Sequence, residues 1–347
     1  MNLSKRISAF SVLGEIIRDA LSGKPGKYSA ALNHLIETQH TKNPWFTPDN
    51  IRMALSAVAD ELTPENLNKW CSFYPGLAAD HKPVRAGVIM AGNIPLAGFH
   101  DMLSVLITGN RLIAKTSSKD NDLPALIIEI MKDIDDGFSD MITLSDGVIS
   151  GFDIVIATGS DNSSRYFEYY FGKYPHLIRK NRNSIALIDG CETVEELTSL
   201  GTDIFSYFGL GCRSVSKIFV PEGYDLKHMI SCWNRFEGII NHTRYANNYE
   251  YHKAVLLVNN DKFMDTGFLL IRYHSGLSSP VAVLYYETYE NRGTFKIMAE
   301  NMKDKIQCIV GRGYTPFGKA QMPALWDYAD GTDTIEFLLK KFSPGIL

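Results

Sequence analysis

From residue 84 onward, short β-branched apolar runs alternate with helix-length segments, and no other feature limits the fold as tightly. The runs are "VRAGVIMAG", "NRLIAKTS", "DMITLSDG", "FDIVIATG", "NSIALIDG", "SVSKIFVP", "HKAVLLVNN", "PVAVLYYE" and "DKIQCIVG". Strands covered on both faces look like this, and the helices between them imply mostly parallel strands with right-handed crossovers. Residues before 84 read instead as helices. Thr47-Pro48 and Thr63-Pro64 pair an N-cap with a first-turn proline, and Ile51, Leu55, Val58 and Leu62 follow one helical face. With 347 residues, 45% of them hydrophobic, the chain can bury a large core in two lobes. No glycine/serine linker marks the boundary. It is expected near residues 184 to 192, where "NSIALIDGCE" closes one βα series, which divides the chain into 1–187, 188–315 and a tail at 316–347.

Charge and cysteine usage exclude several classes. A net charge of -4 supplies no basic field for a phosphate backbone, so nucleic acid is not an expected partner. The five cysteines, 71, 191, 212, 232 and 308, are odd in number and contain no CxxC, which argues against a disulfide framework and a zinc knuckle. A reducing cytoplasm fits them. The nine histidines form no HxxxH or HExxH, so no metal site is expected. The first residues carry an apolar face of Ile7, Phe10, Leu13, Ile16, Ile17 and Leu21, but Glu15, Arg18 and Asp19 interrupt any signal-peptide core. No apolar run approaches the ~20 residues that span a bilayer.

In "YFGLGCRSVSKIFVP" Cys212 sits between glycines and a strand-like run. Glycines 209 and 211 leave room beside the sulfur, and its own N–H could hold an oxyanion. The alternative is a small packed thiol at a strand start.

Three further stretches bear on that choice. "GVIMAGNIPLAGFHDMLSVLITGNRLIAKTSSKD", "DIVIATGSDNSSRYF" and "NSIALIDGCETVEELTSLGTDIFSYFGLGCRSVSKIFVPEGYD" resemble, in order and spacing, signature regions of the aldehyde dehydrogenase superfamily. Within it the chain is most similar to the LuxC-type acyl-CoA reductases related to the fatty acid reductase of bacterial luminescence. The resemblance covers roughly residues 84 to 311. It implies an α/β fold, aldehyde dehydrogenase-like, with two Rossmann-like parallel-sheet lobes behind a helical lead-in. Residues 1–187 would hold the dinucleotide, 188–315 would be catalytic, and the tail would pack back or lie at an oligomer interface.

The resemblance also implies roles. Cys212 would carry an acyl group as a thioester, and Asn93 would donate its amide to the oxyanion; the residues alone equally allow Asn93 as a helix N-cap before Ile94-Pro95. Lys115, after "RLIA", would contact the adenine-side ribose, or else be a strand-end charge. Ser118 and Lys119 stand where many NAD-using relatives have an acid. Hydroxyl and ammonium groups suit a 2'-phosphate, which favours NADPH over NADH. Thr158, Gly159 and Ser160 match the loop at the cofactor's phosphate and nicotinamide end, with Ser160 as helix cap the plainer reading.

Two stretches depart from the pattern. Hydrolytic aldehyde dehydrogenases carry a water-activating glutamate where this chain has Leu177, Ile178 and Arg179, so an acyl-cysteine would persist for another fate. Arg179, Lys180 and Arg182 could meet coenzyme A phosphates or form a solvated loop. "SGLSSPVAVLYY" places Ser275 and Gly276 around the expected ribose-gripping glutamate. "RYFEYYFGKY" has helical spacing and reads as core. Asp327, Asp330 and Asp333 read as caps and turns before an amphipathic helix.

The expected activity is NAD(P)H-dependent reduction of an acyl-CoA, or of an acyl group on a carrier, to an aldehyde through Cys212. The alternatives are an acyl transferase or acyl-phosphate reductase at the same cysteine, and a non-catalytic subunit that binds nucleotide or acyl chains. The resemblance further implies a homo-oligomer.

Overall fold

The structure, a computed structural model, describes residues 1–79, 82–145 and 147–340. The chain forms two compact units: Met1–Asn181 together with the segment from Ala324, and Arg182–Pro323.

The first unit opens with α1 (Leu3–Leu21), α2 (Ser29–Thr38), α3 (Pro48–Glu61) and α4 (Pro64–Ser72). Thr47 and Thr63 cap α3 and α4 as their sequence predicts, accepting from the N–H groups of Asn50 and Asn66. Phe10, Leu13 and Ile17 of α1 are buried with Ile51, Leu55 and Leu62, so the apolar faces of these helices meet in one core. The sheet follows: β1 (Arg85–Ile89), α5 (Phe99–Ile107), β2 (Arg111–Lys115), α6 (Asp122–Ile134), β3 (Ile142–Leu144), β4 (Ile154–Thr158), α7 (Asp161–Phe171) and β5 (His176–Arg179). All five strands are parallel, in the order β3-β2-β1-β4-β5. β1 is followed by β2 on one side, while β4 lies on its other side. The carboxyl ends of β1 and β4 therefore flank a topological switch point, where open α/β sheets bind ligands.

The second unit comprises β6 (Asn183–Leu187), α8 (Val194–Phe205), β7 (Val215–Pro221), α9 (Leu226–Ser231), α10 (Thr243–Val258), β8 (Met264–Asp265), β9 (Leu270–Tyr273), β10 (Val283–Tyr289), α11 (Arg292–Asn301) and β11 (Ile306–Val310). Its sheet runs β11-β6-β7-β10-β9-β8, parallel except for the antiparallel β8 at the edge. β6, which the sequence division left with the first lobe, is hydrogen-bonded between β11 and β7. The units accordingly divide at 181/182.

Two sequence expectations are corrected. "HKAVLLVNN" is no strand: residues 243–258 form one helix, capped by His242 Nδ1 accepting from Tyr245 N–H. A short apolar run has no period of its own to separate strand from helix, and here its flanks decide. The aromatics of α7 do not all enter a core, since Tyr166, Tyr169 and Tyr170 are exposed.

From Ala324 the chain rejoins the first unit through α12 (Thr334–Leu339), whose Ile335 and Leu338 are buried in that core. Tyr328 accepts from Trp70 Nε1 at 2.7 Å and pairs with Tyr74 at 2.8 Å, and Tyr74 donates to Asp333. Of the 316–347 tail, residues 341–347 lie outside the described residues.

Candidate active site

Register brings the sequence-predicted groups of the first unit to one edge. Ile89 of β1 pairs with Lys115 of β2 on one side and with Ala157 of β4 on the other. The loops carrying Asn93, Lys115 to Lys119, and Thr158 to Ser160 thus leave the sheet side by side.

Asn93 is exposed in the loop after β1, and α5 does not begin until Phe99, with Gly98 at its N-cap. Asn93 caps no helix, which removes one of its two readings. Gly92 before it lies so close to the next loop that a Cβ would fall 2.4 Å from Ser117 Oγ. Lys115 is half-buried, while Ser118 and Lys119 are exposed. Ser160 caps α7, accepting from Ser163 N–H, and a Cβ on Gly159 would meet Ser163 and Phe167 within 3 Å. This glycine is required by close packing at the strand-to-helix turn.

Arg179, which by sequence could meet coenzyme A phosphates or lie in a solvated loop, is not solvated. It is buried, with Nη2 2.8 Å from Asp101 and 2.7 Å from Thr334, and Nη1 on Asp330 and the Ala329 carbonyl. Burial disfavours the guanidinium charge, but Asp101 and Asp330 outweigh it and raise its pKa. Lys180 and Arg182 remain more exposed, the former 3.9 Å from Glu168 and the latter donating to the carbonyls of Lys303 and Ile306. His100 and Asp101 contact the Leu325 carbonyl and Arg179, respectively.

In the second unit Cys212 is half-buried between α8 and β7. The approach to it is left-handed: Tyr207, Phe208 and Gly209 have φ of 53°, 57° and 76°. Such backbone costs about 1–2 kcal/mol at each non-glycine residue. Packing holds it, with Tyr207 buried and the Phe208 ring 4.3 Å from that of His242. The Cys212 carbonyl accepts from Ser184 Oγ at 2.9 Å, and the same hydroxyl accepts from Cys308 N–H and lies 3.1 Å from its sulfur. Ser184 therefore holds the backbone at Cys212 from β6, the strand beside β7. Among the described residues no disulfide forms.

Sequence reasoning missed Lys217, five residues after Cys212. It is fully buried in β7, its ammonium 3.0 Å from the Ser275 carbonyl, 2.5 Å from Glu287 and over the Phe219 ring. Ser216 donates to the Leu277 carbonyl at 2.8 Å. The altered "SGLSS" segment is thus clamped from β7. A lysine inside the apolar run "SVSKIFV" was the available signal, because a strand covered on both faces admits a charge only with a partner. Asp203 of α8 is another such group: it accepts from Gly318 and Ala320 N–H, and burial raises its carboxyl to about 6.

Residues 82–233 match the sequence model of the family described as Acyl-CoA reductase (LuxC). A long-chain acyl-protein thioester reductase of Aliivibrio fischeri is 27% identical over 146 residues, which is 38% of this chain and 30% of that protein. The match thus spans under a third of this relative's length. Among solved structures, aldehyde dehydrogenase 21 of Physcomitrella patens aligns with a TM-score of 0.63 at 12% identity, covering 90% of this chain and 74% of that one. An NADP-dependent glyceraldehyde-3-phosphate dehydrogenase of Bacillus halodurans, solved with NADP, aligns with a TM-score of 0.62 at 12% identity over 89% and 74%. These likenesses are of fold. Over residues 82–233 the chain is thus similar to the acyl-CoA reductase (LuxC) family, and its fold is aldehyde dehydrogenase-like.

Proposed function

We propose that the chain reduces a fatty acyl thioester to an aldehyde through an acyl-cysteine at Cys212. The observation that carries this reading is that the family match at residues 82–233 contains Asn93, Lys115 to Lys119, Thr158 to Ser160 and Cys212 together. In this reading the Cys212 thiolate attacks the thioester carbonyl, the oxyanion is met by the Cys212 N–H and the Asn93 amide, and the carrier leaves as its thiolate and takes a proton. Two aimed donors are worth roughly 3 kcal/mol each in the barrier. The acyl-cysteine would then be the hydride acceptor, and Cys212 would leave as its thiolate as the aldehyde is released. Reduced nicotinamide, when bound, supplies that hydride.

The first unit's edge fits such a cofactor. It lies at a switch point, Gly159 allows close backbone approach, and Ser118 and Lys119 offer hydroxyl and ammonium groups at the end of β2. Lys115 would hold the adenine-side ribose and Thr158 to Ser160 the phosphate and nicotinamide end; Lys119 favours NADPH. Residues 176–179 bring no carboxylate to activate water, and Arg179 is committed to Asp101 and Asp330. That supports reductive rather than hydrolytic release. The name of the Aliivibrio relative supports a protein-bound acyl donor beside coenzyme A.

Intact-protein mass spectrometry tests the reading. Incubation with acyl-CoA and acyl carrier protein thioesters, without NADPH, should leave an acyl adduct on the wild type but not on Cys212→Ala, and NADPH should discharge it as aldehyde. An adduct that survives Cys212→Ala, or none with any donor, would sink it.

A further inference from the structure

The Asn93 loop is slung between two anchors, one at the last residue of β2 and one in the segment just after it. At its start, Met90 N–H donates to the Lys115 carbonyl at 2.9 Å. At its end, Leu96 N–H donates to Asp120 Oδ2 at 2.7 Å. Asn93 lies midway. Leu96 is a buried leucine at φ 58°, a left-handed conformation that L residues hold only under constraint from their surroundings. The Asp120 carboxylate supplies that constraint, because the N–H it accepts is the one presented by the left-handed turn.

Asp120 is itself an expensive group to keep there. It is 2% exposed, and among the described residues its second oxygen, Oδ1, has no hydrogen-bond partner. Burial is the main reason its carboxyl is pushed up to about 7, with the charge of Asp122 adding to it and the Leu96 N–H opposing. Asp122 is in turn held by Lys42 and Gln39 from the helical lead-in. Asp120 N–H closes the turn on the Ser117 carbonyl, and Asn43 reaches the Lys119 carbonyl. A merely structural turn needs no buried half-satisfied acid, since an asparagine or a backbone carbonyl would close it more cheaply.

We propose that Asp120 is a positioning residue for Asn93: by holding Leu96 in its left-handed conformation it sets the course of residues 91–95 and so the placement of the Asn93 amide. This rests on the reading of Asn93 as oxyanion donor. The segment that would grip the cofactor's ribose and the loop that would stabilise the oxyanion are then one mechanical piece, joined by the Lys115 carbonyl and the Asp120 carboxylate.

Single-turnover acylation of Cys212 by acyl-CoA, measured without NADPH, keeps cofactor binding out of the test. Asp120→Ala should slow it roughly 10- to 100-fold, the cost of displacing a catalytic group by about an ångström. Asp120→Asn, which keeps an acceptor for Leu96 N–H, should recover most of the rate. The double variant Asn93→Ala with Asp120→Ala should be no slower than Asn93→Ala alone, because Asp120 acts through Asn93. Asp120→Leu, closer in volume, makes the same test if the alanine variant does not fold. Hydrogen exchange on the wild type needs no variant at all, and the Leu96 amide should be protected. A wild-type rate in Asp120→Ala beside a slow Asn93→Ala, multiplying losses in the double variant, or a rapidly exchanging Leu96 amide would each overturn the proposal. A wild-type rate in Asn93→Ala would instead remove the oxyanion reading beneath it.

Discussion

Each unit carries a buried cation in a strand of its sheet, and the two are satisfied differently. Arg179, at the end of β5 in the first unit, meets carboxylates from two distant segments, Asp101 and Asp330, plus Thr334. Lys217, inside β7 in the second unit, meets one carboxylate, one carbonyl and one ring. Arginine's planar fork can join three chain segments at once, whereas a lysine ammonium is a point charge that pins one loop. The first unit therefore uses its buried charge to hold the returning chain after Ala324, and the second uses its own to clamp residues 275–277 against the strand that follows Cys212.

That comparison can be broken in four measurements. Arg179→Met should have the largest effect, about 3–5 kcal/mol in urea unfolding, because it leaves Asp101 and Asp330 buried without their partner. A loss under about 1 kcal/mol would mean the returning segment is held by its apolar contacts alone. Lys217→Met should cost less, about 1–3 kcal/mol, since Glu287 is partly exposed and can rehydrate. It should also speed proteolysis or hydrogen exchange at residues 275–277, and an unchanged pattern there would refute the clamp.

The third measurement compares the two buried carboxyls. Asp203 has both oxygens occupied by N–H groups and Asp120 only one, and their carboxyls are pushed up to about 6 and about 7. Both folded values exceed the ordinary carboxyl value, so the stability each contributes is fully present below about pH 4 and is lost as pH rises through its folded value. Removing the titration by Asp203→Asn should flatten the stability profile up to about pH 6, and Asp120→Asn up to about pH 7. Equal profiles would mean that the orphaned oxygen of Asp120 finds a partner in solution. The smallest effect belongs to Trp70→Phe, which removes only the hydrogen bond to Tyr328 and should cost about 1 kcal/mol.

Much of the architecture was legible because it rests on local rules. Eight of the nine apolar runs contain strands; the exception, "HKAVLLVNN", is the end of α10. The strand β5 went unnoticed because "HLIR" is short and its role as a sheet edge depends on β4 beside it. The groups proposed for the site were legible through resemblance, since glycines, a lysine at a strand end and a cysteine before a strand keep their spacing in the chain.

What the sequence determined by itself is the period: which segments are strands covered on both faces, where Thr47 and Thr63 start helices, and which loops leave the carboxyl ends of β1, β2 and β4. Only the tertiary structure decided the fate of the charges. Arg179 reads as a loop cation and is buried, Lys217 reads as a strand residue and is a clamp, and Asp120 reads as the end of "KTSSKD" and anchors a left-handed leucine 24 residues earlier. Burial and partner are properties of contacts far apart in the chain, and the free energy of a charge depends on both. Local spacing carries neither.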